Sequence, residues 1–159
     1  MKNENLVVRS QLIPLHNIRL VLPNTAIAEV ISFLKPEPIE DSPAWLLGKM
    51  EWRGVYIPLI SFETASTDQA PEINRRSRVI VLNALGGHSD LPFYAVVAQG
   101  IPRLMGLDMS NILDAPNPDS EQRLVLRHVV VEGHPALIPD QKALEEELSR
   151  LGIRVEQIY

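Results

Sequence analysis

Ser42-Pro43-Ala44-Trp45-Leu46-Leu47-Gly48-Lys49-Met50-Glu51-Trp52-Arg53-Gly54-Val55-Tyr56-Ile57-Pro58-Leu59 is the most informative stretch of this chain. It joins an apolar run, an Arg-Gly pair and a second run rich in β-branched and aromatic residues. That is the pattern of a β-hairpin turning at Arg53-Gly54. Pro58 has no backbone N–H, so part of the second strand is expected at an edge or a bulge. Alone, the string reads as a hairpin with an exposed turn arginine.

Working outward, period-two alternation places Ile18, Leu20 and Leu22 on one face of a strand, with Arg19 and Val21 on the other. Ala26 to Ile31 is a weaker strand that ends in a β-branched pair. Beyond the hairpin, Glu63 to Ser77 has few large apolar residues and reads as an internal connection. Arg78 to Asn83 and Leu91 to Gln99 are strands about a glycine-rich turn, and Asn111 to Ser120 is a proline-bearing loop. Leu124 to Val131 and His134 to Ile138 form a second hairpin around Glu132-Gly133. Only the C-terminus reads as helix, over about 140–152. Asp140 is its N-cap, Leu144, Leu148 and Leu151 its apolar stripe, and Gly152 its stop. Glu145-Glu146-Glu147 is expected to form a solvated face of that helix.

The chain has 159 residues, thirteen prolines, no cysteine and a formal net charge of −5. The length suits one domain or two small subdomains. Absence of cysteine excludes disulfides and thiolate chemistry. The acidic balance argues against nucleic acid, whose binding draws on clustered Lys and Arg. The one basic cluster, Arg75-Arg76-Ser77-Arg78, reads as a solvated linker edge. The first residues carry no apolar h-region, and no apolar run approaches the ~20 residues that span a bilayer. A soluble, cytoplasmic protein without membrane insertion is expected.

A search for catalytic chemistry finds no phosphate-cradling glycine motif and no G-x-S-x-G elbow. Glu132-Gly133 as a two-residue turn sets Val131 against His134 and His128 against Leu137, so the two imidazoles point to opposite sheet faces. No shared metal is expected there. No nucleophile, base and orienter can be named together, so neither an enzyme nor a cofactor is expected.

The whole string from Ser42 to Leu59 resembles the signature of CheW-like domains: a proline, an aliphatic run, a glycine, N-L-R-G, then a strand ending V-P-V-x-D-L. Leu20 to Ile31 is similar to the family's Y-A-I-x-I-x-x-V-x-E-I segment. Arg78 to Leu82 and Tyr94 to Ile101 resemble its strand pair ending V-D-x-V, and Ala136 to Asp140 stands where L-L-D-x-x-x-L precedes the last helix. The resemblance covers about 6–151 as a single domain. It implies a mainly β fold: two five-stranded, SH3-like barrel subdomains, a hydrophobic groove between them and a C-terminal helix. It also implies a non-catalytic adaptor that couples the cytoplasmic tip of a methyl-accepting-type chemoreceptor to the regulatory domain of a CheA-type histidine kinase. Arg53 and Gly54 match the R-G of the signature, Glu29 the glutamate after the first-barrel strand, and Ile27 an aliphatic position beside it. With Trp52, these are the expected partner-binding residues.

The string departs from the family at Met50-Glu51-Trp52, at Ser61-Phe62 in place of V-D-L, and at Gln99 in place of the aspartate of V-D-x-V. These departures suggest an altered partner surface, similar to accessory members such as ChpC of chemosensory pilus systems, with twitching motility as the output. Two other readings stay open: a ligand-binding or enzymatic barrel using the cleft between subdomains, and self-association as a scaffold.

Overall fold

The computed structural model describes residues 6–116 and 122–158. The leaderless start read at 1–5, and residues 117–120 of the expected loop, lie outside them. Twelve strands and two α-helices follow one another: β1 (Val8–Pro14), β2 (Arg19–Pro23), β3 (Ile27–Ser32), β4 (Leu46–Trp52), β5 (Val55–Ile60), α1 (Phe62–Thr67), β6 (Arg78–Asn83), β7 (Phe93–Ala98), β8 (Arg103–Leu107), β9 (Ile112–Asp114), β10 (Val125–Val131), β11 (His134–Pro139), α2 (Gln141–Arg150) and β12 (Glu156–Gln157). One sheet has the order β8-β1-β2-β11-β10-β9. The other has the order β12-β5-β7-β6-β3, with β4 on the remaining side of β5. Setting aside the short β9 and β12, each sheet has five strands, so the fold is mainly β with two subdomains and a C-terminal helix. The chain begins in the first sheet, builds the second from β3 to β7, and returns with β8.

Three apolar clusters hold this arrangement. Leu12, Val21, Leu107, Val129, Val131 and Ala136 fill the first sheet. Met50, Trp52, Ile57, Leu59, Val79, Val81, Ala95 and Val97 fill the second. A third cluster lies between them, built from Ile13, Leu20, Leu22 and Leu137 of one sheet, Ile60, Ile80, Tyr94 and Val96 of the other, and Phe62, Leu144 and Leu148 of the helices. The expected hydrophobic groove between the subdomains is therefore a closed core. The alternation read at Ile18 to Leu22 explains it, since Leu20 and Leu22 face the shared core and Val21 the first sheet's own.

Both hairpins turn as their sequences require. Arg53 and Gly54 have φ of 47° and 82°, and Glu132 and Gly133 of 50° and 81°. Positive φ at both central residues is the type I′ pattern, whose twist matches paired strands. Val131 faces His134 and His128 faces Leu137, in the expected register. Pro58 stands between the two partners on one side of β5, β12 at Val55 and Tyr56 and β7 at Leu59 and Ile60, so β5 is locally an edge there.

The segment 63–77 differs from its expectation. It links β5 to β6 within one sheet and opens with helix α1. Ser61, fully buried, caps that helix by accepting from the Thr64 N–H at 3.2 Å and from the Thr64 hydroxyl at 2.9 Å. Ser61 is thus a helix cap, a role an aspartate also fills, and no part of a partner surface. Ser61→Ala should cost about 1 kcal/mol and lower the melting temperature by roughly 2–4 °C, measurable by thermal scanning; an unchanged value would show the cap to be idle.

Helix α2 is capped by Asp140, which accepts from the Ala143 N–H, and Gly152 follows it at φ 76°. Two details are corrected. Leu151 is 47% exposed, so the buried stripe is Leu144 and Leu148 alone. Glu145 is only 2% exposed: the side chain is turned into the fold by hydrogen bonds to the Tyr94 hydroxyl and the Leu85 N–H, and is no solvated face.

Candidate functional site

The β4–β5 hairpin carries the tip at which most of the expected partner-binding residues meet. A non-glycine residue in the left-handed region costs roughly 1–2 kcal/mol, and Asn, Asp or Gly would avoid it. Arginine at position 53 therefore has to be held by something else. Its guanidinium lies over the Trp52 ring, 4.7 Å from the centroid. Its Nη2 donates to Glu29 Oε1 at 3.0 Å, and the same oxygen accepts from Trp52 Nε1 at 3.0 Å. An exposed ion pair contributes about 0–1 kcal/mol and an exposed cation–π contact about 0.5–1 kcal/mol. Together they roughly offset the turn strain, so the cluster fixes a direction more than it adds stability.

The Arg53 side chain stays 65% exposed. A guanidinium has five N–H donors in a rigid fork, so those not engaged by Glu29 are held outward for a carboxylate or carbonyl.

Trp52 has a different position from the one expected. It is 7% exposed, packed in the second sheet's core and edge-on to Phe93 at 4.9 Å. Only its indole N–H reaches the site, so it supports Glu29 and Arg53 from below.

Ile27 is separated from the cluster. A bulge between Ile27 and Glu29 inserts one residue against β6 and shifts the alternation. Ile27 and Val30 consequently pack against the core between the sheets, while Ala28 and Ile31 pack against the second sheet's core. The structure brings Glu29, Trp52, Arg53 and Gly54 together and puts Ile27 on the other face. Gln99 is also occupied, with Nε2 donating to the Glu72 carbonyl at 2.8 Å and tying down the β5–β6 connection.

Clefts lie elsewhere on the surface. One of about 380 Å³ borders Lys49, Tyr56 and Glu156. There Lys49 lies 4.7 Å from the Tyr56 ring centroid and 3.8 Å from the Glu156 carboxylate, so its charge is already engaged. A second, of about 380 Å³, lies on the first sheet beside Met109, Leu113 and Arg127. Among the described residues no three His, Asp or Glu side chains group as metal ligands, and no helix is long and apolar enough to cross a membrane.

Comparison with known proteins accords with this architecture. The CheW-like domain family matches residues 10–148. Among solved structures, the scaffolding protein TtCheW from Thermoanaerobacter tengcongensis superposes with a TM-score of 0.70 at 16% sequence identity, covering 87% of this chain and 88% of that one. No curated protein sequence matches. The match extends from β1 to α2 and takes in both sheets and the Arg53 hairpin, and on it the chain belongs to the CheW-like domain family.

Proposed function

We propose that the protein is a non-catalytic adaptor that links the cytoplasmic tip of a chemoreceptor to the regulatory domain of a CheA-type histidine kinase, recruited to a membrane-associated array through those partners. The observation that carries this reading is a family match that leaves neither sheet outside it. The neighbouring fold belongs to a protein described as a scaffold. The Arg53 tip adds a physical reason, because a strained turn residue held by Glu29 and Trp52 while presenting free donors is suited to a partner's acidic or carbonyl groups.

The test is a pull-down against a kinase regulatory domain and a receptor cytoplasmic tip, where retention of neither sinks the proposal. Arg53→Ala should weaken capture of one partner about 30-fold, the loss typical of a binding hot spot of ~2 kcal/mol. Its melting temperature should move by less than about 2 °C, since the strain it relieves and the contacts it removes nearly cancel. A large drop in melting temperature with unchanged capture would make Arg53 a purely local turn residue.

The narrower link to pilus-associated accessory members draws no support from the departures that suggested it. Ser61 caps α1, Trp52 is core and Gln99 anchors a loop. All three have duties inside the fold.

A further inference from the structure

Helix α1 carries a buried carboxylate that the adaptor reading does not use. Glu63 is 5% exposed. One of its oxygens accepts from the His16 N–H at 3.0 Å, and the other, Oε2, is buried with no hydrogen-bond partner. Gln122 Oε1 is likewise buried and unpartnered. Both residues line one cleft of about 280 Å³, between the β1–β2 turn and α1. Two orphaned acceptors facing one space are far from ordinary, because buried polar groups are nearly always paired and buried charges more so.

The remaining walls define what could answer them. The Ser66 and Thr67 hydroxyl protons are given to the Phe62 and Glu63 carbonyls at 2.9 and 2.7 Å, which leaves their oxygens to accept. No Lys or Arg borders the cleft among the described residues. At its rim His16 Nδ1 is already 3.3 Å from the Glu72 carboxylate. Donors and positive charge must therefore come from outside. Leu15, Ile18, Phe62 and Leu137 supply apolar walls beside the acceptors. The volume is several times the ~30 Å³ share of a water molecule and just under the ~300 Å³ at which pockets for drug-sized ligands begin.

From these features we infer that the cleft between the β1–β2 turn and α1 is a binding site for a guanidinium group on a short aliphatic stem, with Glu63 as its counter-ion and Gln122 as a second acceptor. A planar guanidinium can donate to a carboxylate oxygen and a neighbouring amide oxygen together, while its stem lies along the apolar walls. The site shares no residue with the Arg53 cluster, so it can be filled independently of partner docking there.

The test is an NMR titration of the full chain with butylguanidinium at physiological salt, with butylurea as the uncharged isostere. Saturable shifts centred on His16, Glu63 and Gln122 are expected with butylguanidinium only. Glu63→Gln keeps an acceptor for the His16 N–H and should raise the dissociation constant at least tenfold. Equal binding of butylurea, no saturable shift, or unchanged affinity in a folded Glu63→Gln protein would overturn the inference. If that variant fails to fold, the comparison of charged ligand and isostere on the native chain still decides. A capped tripeptide with a central arginine distinguishes the source: tighter binding than butylguanidinium marks a partner's side chain, and equal or weaker binding a free small cation.

Discussion

Replacing Gly48 with alanine should lower the melting temperature by about 10 °C, a loss of roughly 3–4 kcal/mol at 2–4 °C per kcal/mol for a chain of this size. Gly48 has φ of +145°, a conformation that side chains rarely adopt. A Cβ there would lie 2.2 Å from the Glu37 carbonyl oxygen and 2.8 Å from its carbon. That carbonyl cannot move freely. Glu37 and Lys49 exchange both backbone hydrogen bonds, each at 2.9 Å, which pins the β3–β4 connection across β4. Relieving the clash would break both bonds, each contributing ~1 kcal/mol, in addition to the ~1–3 kcal/mol of backbone strain. The functional consequence lies downstream. The β4–β5 register shifts between Leu46 and Gly48, and that register aims Arg53 at Glu29, so partner capture should fall together with stability. Thermal scanning beside the pull-down checks both. A fall of less than about 3 °C would show that the Glu37 segment yields.

Gly48 also shows why the hairpin was legible in the sequence. The glycine, the Arg-Gly turn and the β-branched second strand each state a local backbone requirement, and local requirements survive folding unchanged. The same holds for the 132–133 turn, for β6, found over the residues expected, and for the Asp140 cap. Helix α1 was hidden because Phe-Glu-Thr-Ala-Ser-Thr is too short for periodicity and rich in residues that favour turns. Its order comes from the buried Phe62 and Ala65 and from the Ser61 cap. Strands β9 and β12 are three and two residues long and exist through their partners.

At the candidate site the residue types were legible and the geometry was not. Nothing in the order Ile27-Ala28-Glu29 announces a bulge, yet that one extra residue sends Ile27 to one core and leaves Glu29 to meet Trp52 and Arg53. Glu63 looked like the start of a polar connection. Its burial depends on the β1–β2 turn nearly fifty residues earlier, and no sequence window registers that contact. Glu145, amid three consecutive glutamates, had every mark of a solvated position.

That last reversal carries the second large effect. Tyr94, fully buried on β7, donates its hydroxyl proton to Glu145 Oε2 at 2.9 Å and accepts from Gln141 Nε2 at 2.9 Å, while Glu145 Oε1 accepts from the Leu85 N–H at 2.9 Å. The network ties α2 to the second sheet and to the loop after β6. Glu145→Ala strands two buried donors at ~1–3 kcal/mol each, and should cost about 4 kcal/mol and roughly 8–16 °C.

Burial, reinforced by the Glu145 charge and opposed by the Gln141 donor, holds the Tyr94 hydroxyl well above the ordinary tyrosine range. The folded protein thus keeps a proton that the unfolded chain releases near pH 10. Stability from this source is complete below that pH and is lost as pH rises above it, at a slope approaching ~1.36 kcal/mol per unit. Tyr94→Phe should be less stable than the native chain at pH 8 by about 2 kcal/mol, because Glu145 loses its donor. Between pH 10 and 11 it should lose stability less steeply. Urea unfolding of both proteins at pH 8, 10 and 11 reads the difference directly, with the remaining titrating groups common to both. Parallel loss above pH 10 would mean that Tyr94 ionises as readily folded as unfolded, and that the network closing α2 onto the sheet is open to solvent.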